Sequence, residues 1–221
     1  MVEIYDDHEQ SERVRAWIKE NGGAMVLGVL LAFGGLYGWK FWQAEQLRAD
    51  INAATEFYGL STSLDQNLFD QAYSHFETIK ADAPKSTYNA LSHLLIARAR
   101  LDQGQADLAE NLYRNLIENN KNVPEFIQLI SRERLARILL ANGDTQGAKK
   151  LIDEAANSAA FNARFAEVRG DILAAIGDAA GASAAYSEAL DSMPAGTGDR
   201  SMLELKRDNP ILVVSASEEE S

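Results

Sequence analysis

The sequence contains no cysteine and only four prolines in 221 residues. The absence of cysteine excludes disulfide bonds, thiolate metal ligands and a cysteine nucleophile. The scarcity of proline, together with the abundance of alanine and leucine between residues 44 and 192, favours helices over strands. We therefore predict an all-α fold.

Basic residues are also scarce, since 21 Lys and Arg stand against 33 Asp and Glu, for a formal net charge of -12. Nucleic-acid surfaces need clustered Lys and Arg that neutralise phosphates. The charge balance therefore predicts that this protein has no nucleic-acid partner.

Charged residues are missing altogether between residues 21 and 39. About 20 apolar helical residues are enough to cross a bilayer core of about 30 Å. Tyr37, Trp39, Phe41 and Trp42 gather at one end, where an aromatic belt lies at the membrane–water interface. We predict a single transmembrane helix at residues 21–42, after a cytoplasmic N-terminal segment at residues 1–20.

Two alternatives to a membrane anchor are a cleaved signal peptide and a buried helix of a soluble protein. A signal peptide ends in a small-x-small cleavage site, whereas here Lys40, Phe41, Trp42 and Gln43 follow the apolar segment. A buried helix would contain six glycines in 19 residues, each costing about 1 kcal/mol relative to alanine. Both features favour the anchor.

The flanking charges suggest an orientation. Arg13, Arg15 and Lys19 precede the apolar segment, and Lys40 and Arg48 follow it. Cytoplasmic flanks carry an excess of Lys and Arg. We expect a cytoplasmic N-terminus and, in a bacterium, a periplasmic domain after about residue 43.

Small residues four apart within the apolar segment are candidates for packing against another membrane helix. They are Gly28 with Ala32 and Gly34 with Gly38. Such pairs let two helix backbones approach closely. The alternative is that the bilayer merely tolerates these glycines.

The rest of the chain repeats one pattern three times: a small residue, a glycine seven positions later and an alanine five positions after that. The three sets are Ala97, Gly104 and Ala109; Ala136, Gly143 and Ala148; and Gly170, Gly177 and Ala182. Each glycine is placed where a helix must end in a left-handed conformation. Each alanine is placed where two helices cross closely. The pattern predicts helical hairpins.

A weaker copy precedes these three, with Ala72, Phe76, Ile79 and Pro84 in its second helix and Asn67 at the turn. The four turn positions are therefore 37, 39 and 34 residues apart, near the tetratricopeptide period of about 34 residues. We predict a tetratricopeptide-like helical-hairpin solenoid at residues 43–208. A plain helical bundle of similar composition is the alternative.

The C-terminal region should cover the last repeat, because terminal repeats expose an apolar face. We expect a short capping helix at residues 201–207, with Met202, Leu203 and Leu205 as its covering side chains. A turn-rich linker at residues 195–199 precedes it, and Pro194 extends the third repeat. Residues 209–221, which include three successive glutamates at 218–220, read as a disordered acidic tail.

No pattern in the chain is typical of catalysis or of cofactor binding. His8, His75 and His93 lack metal-ligand spacing, and neither a phosphate-binding loop nor a nucleophile elbow is present. We therefore expect no catalytic residue, no metal site, no cofactor and no enzymatic activity.

The sequence predicts instead a protein-binding groove formed by the first helices of the hairpins, whose accessible positions recur at steps of three and four residues. The candidate groove residues are Phe57, Leu91, Leu94, Arg98, Ile130, Glu133, Arg137, Arg164, Glu167 and Asp171. Their mixture of apolar, basic and acidic side chains suits extended or partly unfolded polypeptide. The alternative is that several of them are ordinary core or solvated residues.

Four short motifs precede the repeats: Glu3-Ile4-Tyr5, Glu20-Asn21-Gly22, Gly28-Val29 and Gly38-Trp39-Lys40-Phe41-Trp42. With these motifs and the repeats that follow, the chain resembles the YfgM family, the ancillary tetratricopeptide-like subunits of the bacterial Sec translocon. The resemblance covers nearly the whole chain and is most specific at residues 3–42. Residues 211–221 depart from the family pattern as an extra tail.

The resemblance implies a single-pass protein of the bacterial inner membrane, with a cytoplasmic N-terminus and a periplasmic repeat domain. It implies association with the SecYEG channel and with the membrane-anchored periplasmic chaperone PpiD, and assistance to exported, unfolded polypeptides as they leave the channel. Because fold alone does not fix function, a dedicated cell-envelope scaffold that binds one folded partner is the alternative.

Overall fold

The computed structural model describes residues 7–118, 121–155, 159–193 and 200–210. Within these ranges the chain forms helices and turns without any strand, so the predicted all-α class is confirmed. The nine helices of the described residues are α1 (Asp7–Asp65), α2 (Phe69–Asp82), α3 (Thr87–Asp102), α4 (Ala106–Glu118), α5 (Glu125–Ala141), α6 (Thr145–Asp153), α7 (Asn162–Ala175), α8 (Ala179–Ser192) and α9 (Arg200–Asp208).

Helix α1 contains both the apolar segment and the first helix of the first hairpin. Residues 43–52 hold neither proline nor glycine, so nothing in the sequence ends the helix there. The helix is long and apolar enough to cross a membrane, and its apolar side chains are exposed, as Leu31 at 68% and Tyr37 at 81% illustrate.

The chain divides into two compact units, residues 1–51 and 52–221. In the second unit the two helices of each hairpin pack together, α3 with α4, α5 with α6 and α7 with α8. Each hairpin packs on the next through α4 with α5 and α6 with α7. The first helices α3, α5 and α7 also contact one another in order, and we call them the inner layer. Helices α2, α4, α6 and α8 form the outer layer.

The turns within the hairpins have the backbone conformation that the sequence predicts. Gly104, Gly143 and Gly177 have φ angles of 72°, 81° and 82°, and Asn67 has a φ angle of 58°. Glycine adopts this left-handed region freely, and asparagine tolerates it better than other residues do. The equivalence of Asn67 to the three glycines confirms that the first hairpin belongs to the repeat.

Three hydrophobic clusters lie between the layers. The first joins Leu60, Phe76 and Ile96; the second is centred on Tyr113, Ile127 and Leu135; and the third contains Tyr186 and Leu203. The predicted crossing alanines Ala109, Ala148 and Ala182 are fully buried. Close approach of the helices at these alanines is therefore confirmed.

Helix α9 covers the end of the last hairpin by packing against α8. Leu203 is 3% exposed, whereas Met202 and Leu205 are each 49% exposed. The prediction of a capping helix is confirmed, but the choice of Met202 and Leu205 as covering residues is wrong. At about 100° per residue, a helix that turns Leu203 inward also brings Lys206 to the same side. The predicted linker at 195–199, Pro194 and tail residues 211–221 lie outside the described residues.

Candidate functional site

Arg137 lies at the centre of a cluster of charged side chains on the inner layer. Its guanidinium contacts Glu133 on α5 at 2.6 Å, and Glu167 and Asp171 on α7 at 3.3 Å each. All four residues are among the groove positions predicted from the sequence. The fold brings them together because α5 and α7 are neighbouring first helices.

Lys206 on α9 also belongs to this cluster. Its ammonium donates hydrogen bonds to Glu167 Oε1 at 2.8 Å and to Asp171 Oδ1 at 2.9 Å. The Tyr186 hydroxyl on α8 also donates to Asp171 Oδ1, at 2.9 Å. We call Glu133, Arg137, Glu167, Asp171, Tyr186 and Lys206 the ionic cluster. It joins four helices, α5, α7, α8 and α9.

Burial and charge act in opposition on the pKa values of the ionic cluster. Burial alone would lower the pKa of Arg137, but the carboxylates of Glu133 and Glu167 raise it. Burial would raise the pKa of Glu167, but hydrogen bonds and charge from Lys206 and Arg137 lower it. Burial alone would lower the pKa of Lys206, but the charge of Asp171 raises it. All three groups are therefore charged at neutral pH.

The ionic cluster is suited to holding helices together rather than to acid–base chemistry. Three carboxylates face two cations and one phenol, and each carboxylate already accepts from a charged donor. Burial and the neighbouring Asp171 raise the pKa of Tyr186, so this phenol stays protonated and remains a donor. A client that enters this part of the groove would have to displace existing ion pairs.

The remaining charged groove positions are separate from the ionic cluster. Arg98 contacts Asp102 one turn along α3, at 2.9 Å, with 66% of its own side chain exposed. Arg164 near the start of α7 is exposed. These two arginines are accessible to a partner.

The apolar groove positions contribute mainly to the core. Leu94 is 7% exposed and lies in the second cluster, with Leu91 and Ile130 packed against it as half-buried residues. The half-buried Phe57 packs on the first cluster, and its ring centroid lies 5.6 Å from that of Tyr88. Leu94 and the 7% exposed Glu133 are therefore core positions rather than accessible groove positions.

The glycines of α1 that were predicted to pack against another membrane helix are open on all sides. A side chain added at Gly28, Gly34 or Gly38 would meet no atom within 4 Å. Ala32 is exposed on the same helix. The fold itself thus leaves space for another helix at these positions.

Within the part of the chain that the structure describes, His, Asp and Glu side chains do not gather into any group of three or more that could hold a metal ion. His75 contacts Glu56 at 2.6 Å, and His93 packs edge-on against Phe76. Burial lowers the pKa of His93. Both rings therefore have structural partners.

Sequence reasoning missed Lys206 and Tyr186 as members of the ionic cluster. Tyr186 shares the position of Tyr113 in an earlier repeat, since each follows a crossing alanine by four residues. That signal marks a packing residue but not the hydroxyl's partner. Lys206 contacts residues 35 and 39 positions earlier, and no local pattern reveals such a contact.

Comparison with known families agrees with this architecture. Residues 15–210 match the model of a tetratricopeptide repeat-like domain. This chain belongs to the tetratricopeptide repeat-like family. The match includes the whole apolar segment of α1 as well as all the hairpins. The predicted solenoid is therefore confirmed over the plain helical bundle.

Three relatives of this chain are each named ancillary SecYEG translocon subunit. The Escherichia coli K12 protein is 29% identical over 86% of this chain and 91% of its own length. The Haemophilus influenzae protein is 25% identical over 87% and 92%. The Neisseria gonorrhoeae protein is 24% identical over 95% and 99%. The resemblance to the YfgM family is confirmed by these relatives, while no solved structure matches the chain.

Proposed function

We propose that this protein is an ancillary subunit of the SecYEG translocon that binds exported proteins and has no catalytic role. The observation that carries the proposal is the match, over nearly the whole chain, to relatives of that name. The match extends over a helix apolar enough to span a membrane, joined directly to a protein-binding repeat fold. An anchored subunit of a membrane channel needs both parts.

The proposed location is the bacterial inner membrane, with residues 1–20 in the cytoplasm, residues 21–42 in the bilayer and the repeat domain at residues 43–208 in the periplasm. The three cations Arg13, Arg15 and Lys19 before the span support this orientation. The aromatic pair Trp39 and Trp42, with ring centroids 5.3 Å apart, suits the periplasmic interface.

Contact with the channel is proposed to use the small-residue face of α1. At about 100° per residue, Gly28, Gly34 and Gly38 lie on one side of the helix, and Leu31 lies among them. Val29 points to the opposite side. The open space around the glycines supports helix-to-helix contact there.

The repeat domain is proposed to receive exported, unfolded polypeptides as they leave the channel, together with the periplasmic chaperone PpiD. Solenoids of helical hairpins present long surfaces that suit such clients. The solvent-accessible arginines Arg98 and Arg164 are the groove positions best placed to meet them.

Photo-crosslinking in native membranes tests the proposal. A photoreactive amino acid at Leu31 should capture SecY, SecE or SecG, and the same probe at Val29 should capture them at most weakly. A third probe at Arg98 should capture PpiD and a varied set of exported chains.

Recovery of no translocon component from either membrane position, in a chain that inserts normally, would overturn the proposal. Capture at Arg98 of one recurrent folded envelope protein would instead favour a dedicated scaffold.

A further inference from the structure

A cleft on the outer-layer side of the repeat domain lies apart from the inner-layer groove and the ionic cluster. It encloses about 360 Å³ between α2 and α4, with α3 beneath. A second cavity of about 310 Å³ adjoins it and shares Lys80, His93 and Asn115. We call these two neighbouring cavities together the outer cleft.

The floor of the outer cleft is apolar and forms part of the core. Phe76 and Ile96 are 6% and 2% exposed and belong to the first hydrophobic cluster. Leu108 is 46% exposed at the wall, so an apolar surface remains open to solvent. Such a floor can bury a small or medium apolar side chain from a ligand.

The wall formed by α4 presents two asparagines one helical turn apart. Asn111 and Asn115 both line the cleft and are exposed. Neither amide takes part in the hydrogen bonds found among the described residues. An asparagine amide carries both a donor and an acceptor, as does a peptide unit.

The spacing of these asparagines matches that of an extended polypeptide. Residues four apart on a helix are separated by about 6 Å along its axis. Every second residue of an extended chain is separated by about 6.6 Å. Two asparagines at this spacing can therefore form hydrogen bonds with alternate peptide units, which face the same way in an extended chain. A ligand side chain between these units can then point to the floor.

The charges around the outer cleft set a preference for the ligand. Lys80 contacts Glu77 at 2.6 Å, and the Arg100 guanidinium lies 3.9 Å from the centre of the Tyr73 ring. These side chains give the lining a net charge of about +1, in contrast to the whole chain at -12. Segments that are neutral or acidic complement this lining better than lysine-rich segments do.

His93 supplies a neutral acceptor at the base of the cleft. Its Nδ1 lies 2.8 Å from the Asn89 carbonyl oxygen, which can only accept, so Nδ1 carries the proton. Burial lowers the pKa of this imidazole, and the ring is neutral at neutral pH. Its Nε2 is then an acceptor.

We propose that the outer cleft binds an extended segment of unfolded polypeptide, with Asn111 and Asn115 bonding alternate peptide units and an apolar side chain seated over Phe76 and Ile96. The inference deepens the proposed function, on which its choice of client rests. It adds a client site on the outer layer to the one proposed for the inner-layer groove.

Peptide binding to the full chain in phospholipid nanodiscs tests the outer cleft. The probe is a fluorescein-labelled ten-residue peptide with alternating leucine and serine or threonine, followed by fluorescence anisotropy, with empty nanodiscs as the blank. Asn111→Ala and Asn115→Ala should each weaken binding about threefold to tenfold, because each removes a hydrogen-bonding amide. The matched control Asn52→Ala, exposed on α1, should bind as the parent does.

A second peptide, N-methylated at alternate backbone nitrogens, separates backbone bonding from apolar adhesion. It should bind the parent about threefold to tenfold more weakly than the first peptide does. On the doubly substituted Asn111→Ala, Asn115→Ala chain, the two peptides should bind equally well. Leu108→Glu should weaken both peptides.

Three results would overturn the inference: no binding of the first peptide by the parent, equal binding by the double variant, or indifference to N-methylation. None of them bears on crosslinking from Leu31 to the channel, so failure here is distinguishable from failure of the proposed function.

Discussion

The ring of Tyr186 on α8 lies directly against the Cα of Gly170 on α7. A Cβ at position 170 would approach the ring Cδ1 to 2.6 Å and Cε1 more closely still. The hydroxyl of the same tyrosine donates a hydrogen bond to Asp171 Oδ1 at 2.9 Å. The absence of a side chain at Gly170 therefore lets Tyr186 reach the ionic cluster.

Gly170→Ala should lower the free energy of unfolding by about 1–2 kcal/mol. Overpacking destabilises a core by about 1–3 kcal/mol. The higher helix propensity of alanine offsets at most about 1 kcal/mol of this loss. Urea unfolding followed by circular dichroism measures the change. Combination with Tyr186→Leu should cost less than the sum of the two single substitutions, whereas additivity would show that the two positions do not contact each other.

Lys206→Met should destabilise the repeat domain by roughly 1–3 kcal/mol, because it leaves Glu167 and Asp171 with one cation in place of two. The Lys206 side chain is only 14% exposed, so water compensates poorly. The matched control is Lys149→Met, whose pair with Asp153 is 62% and 52% exposed and should contribute less than about 0.5 kcal/mol. Equal effects of the two substitutions in urea unfolding would contradict the assigned role of the ionic cluster.

The cost of Lys206→Met should depend on pH. Glu167 has a folded-state pKa below its usual 4.5, so its contribution is present above about pH 4.5 and is lost as the pH falls through the lower folded value. Lys206 has a folded-state pKa above 10.5, so its contribution is fully present below about pH 10.5 and is lost at higher pH.

The difference in melting temperature between the parent and Lys206→Met should therefore be greatest between these limits and shrink on either side. Melting curves recorded from pH 3 to pH 11 measure this difference. A constant difference would mean that the ammonium contributes nothing through its charge.

Gly143→Ala should cost about 1–2 kcal/mol, because its φ of 81° places an added Cβ in a left-handed backbone conformation. Space is not limiting, since a Cβ there would meet nothing within 4 Å. Gly143→Asn should cost less, because Asn67 already adopts a positive φ angle of 58° at the equivalent turn of the first hairpin. Thermal unfolding of both variants checks the order, and a smaller loss for alanine than for asparagine would contradict the backbone explanation.

Local features could be predicted from the sequence, and contacts between distant residues could not. The turn at Gly143 follows from the conformational freedom of one residue, and the burial of Ala148 follows from its place one turn into the next helix. The burial of Leu94 and Glu133 depends on how far successive hairpins rotate, which no residue in their helices specifies. The contacts of Lys206 depend on where α9 packs, 35 and 39 residues beyond its partners.

Replacement of Gly34 and Gly38 by leucine should reduce recovery of SecY with the detergent-solubilised chain by severalfold. Leucine favours a helix more than glycine does, so α1 itself should be at least as stable, and any loss of partner must come from the added bulk on that face. Val29→Phe adds bulk to the opposite face and is the matched control. Unchanged recovery in the glycine variant would leave α1 as an anchor alone, and an equal loss in the control would show that bulk anywhere on the helix disturbs the complex.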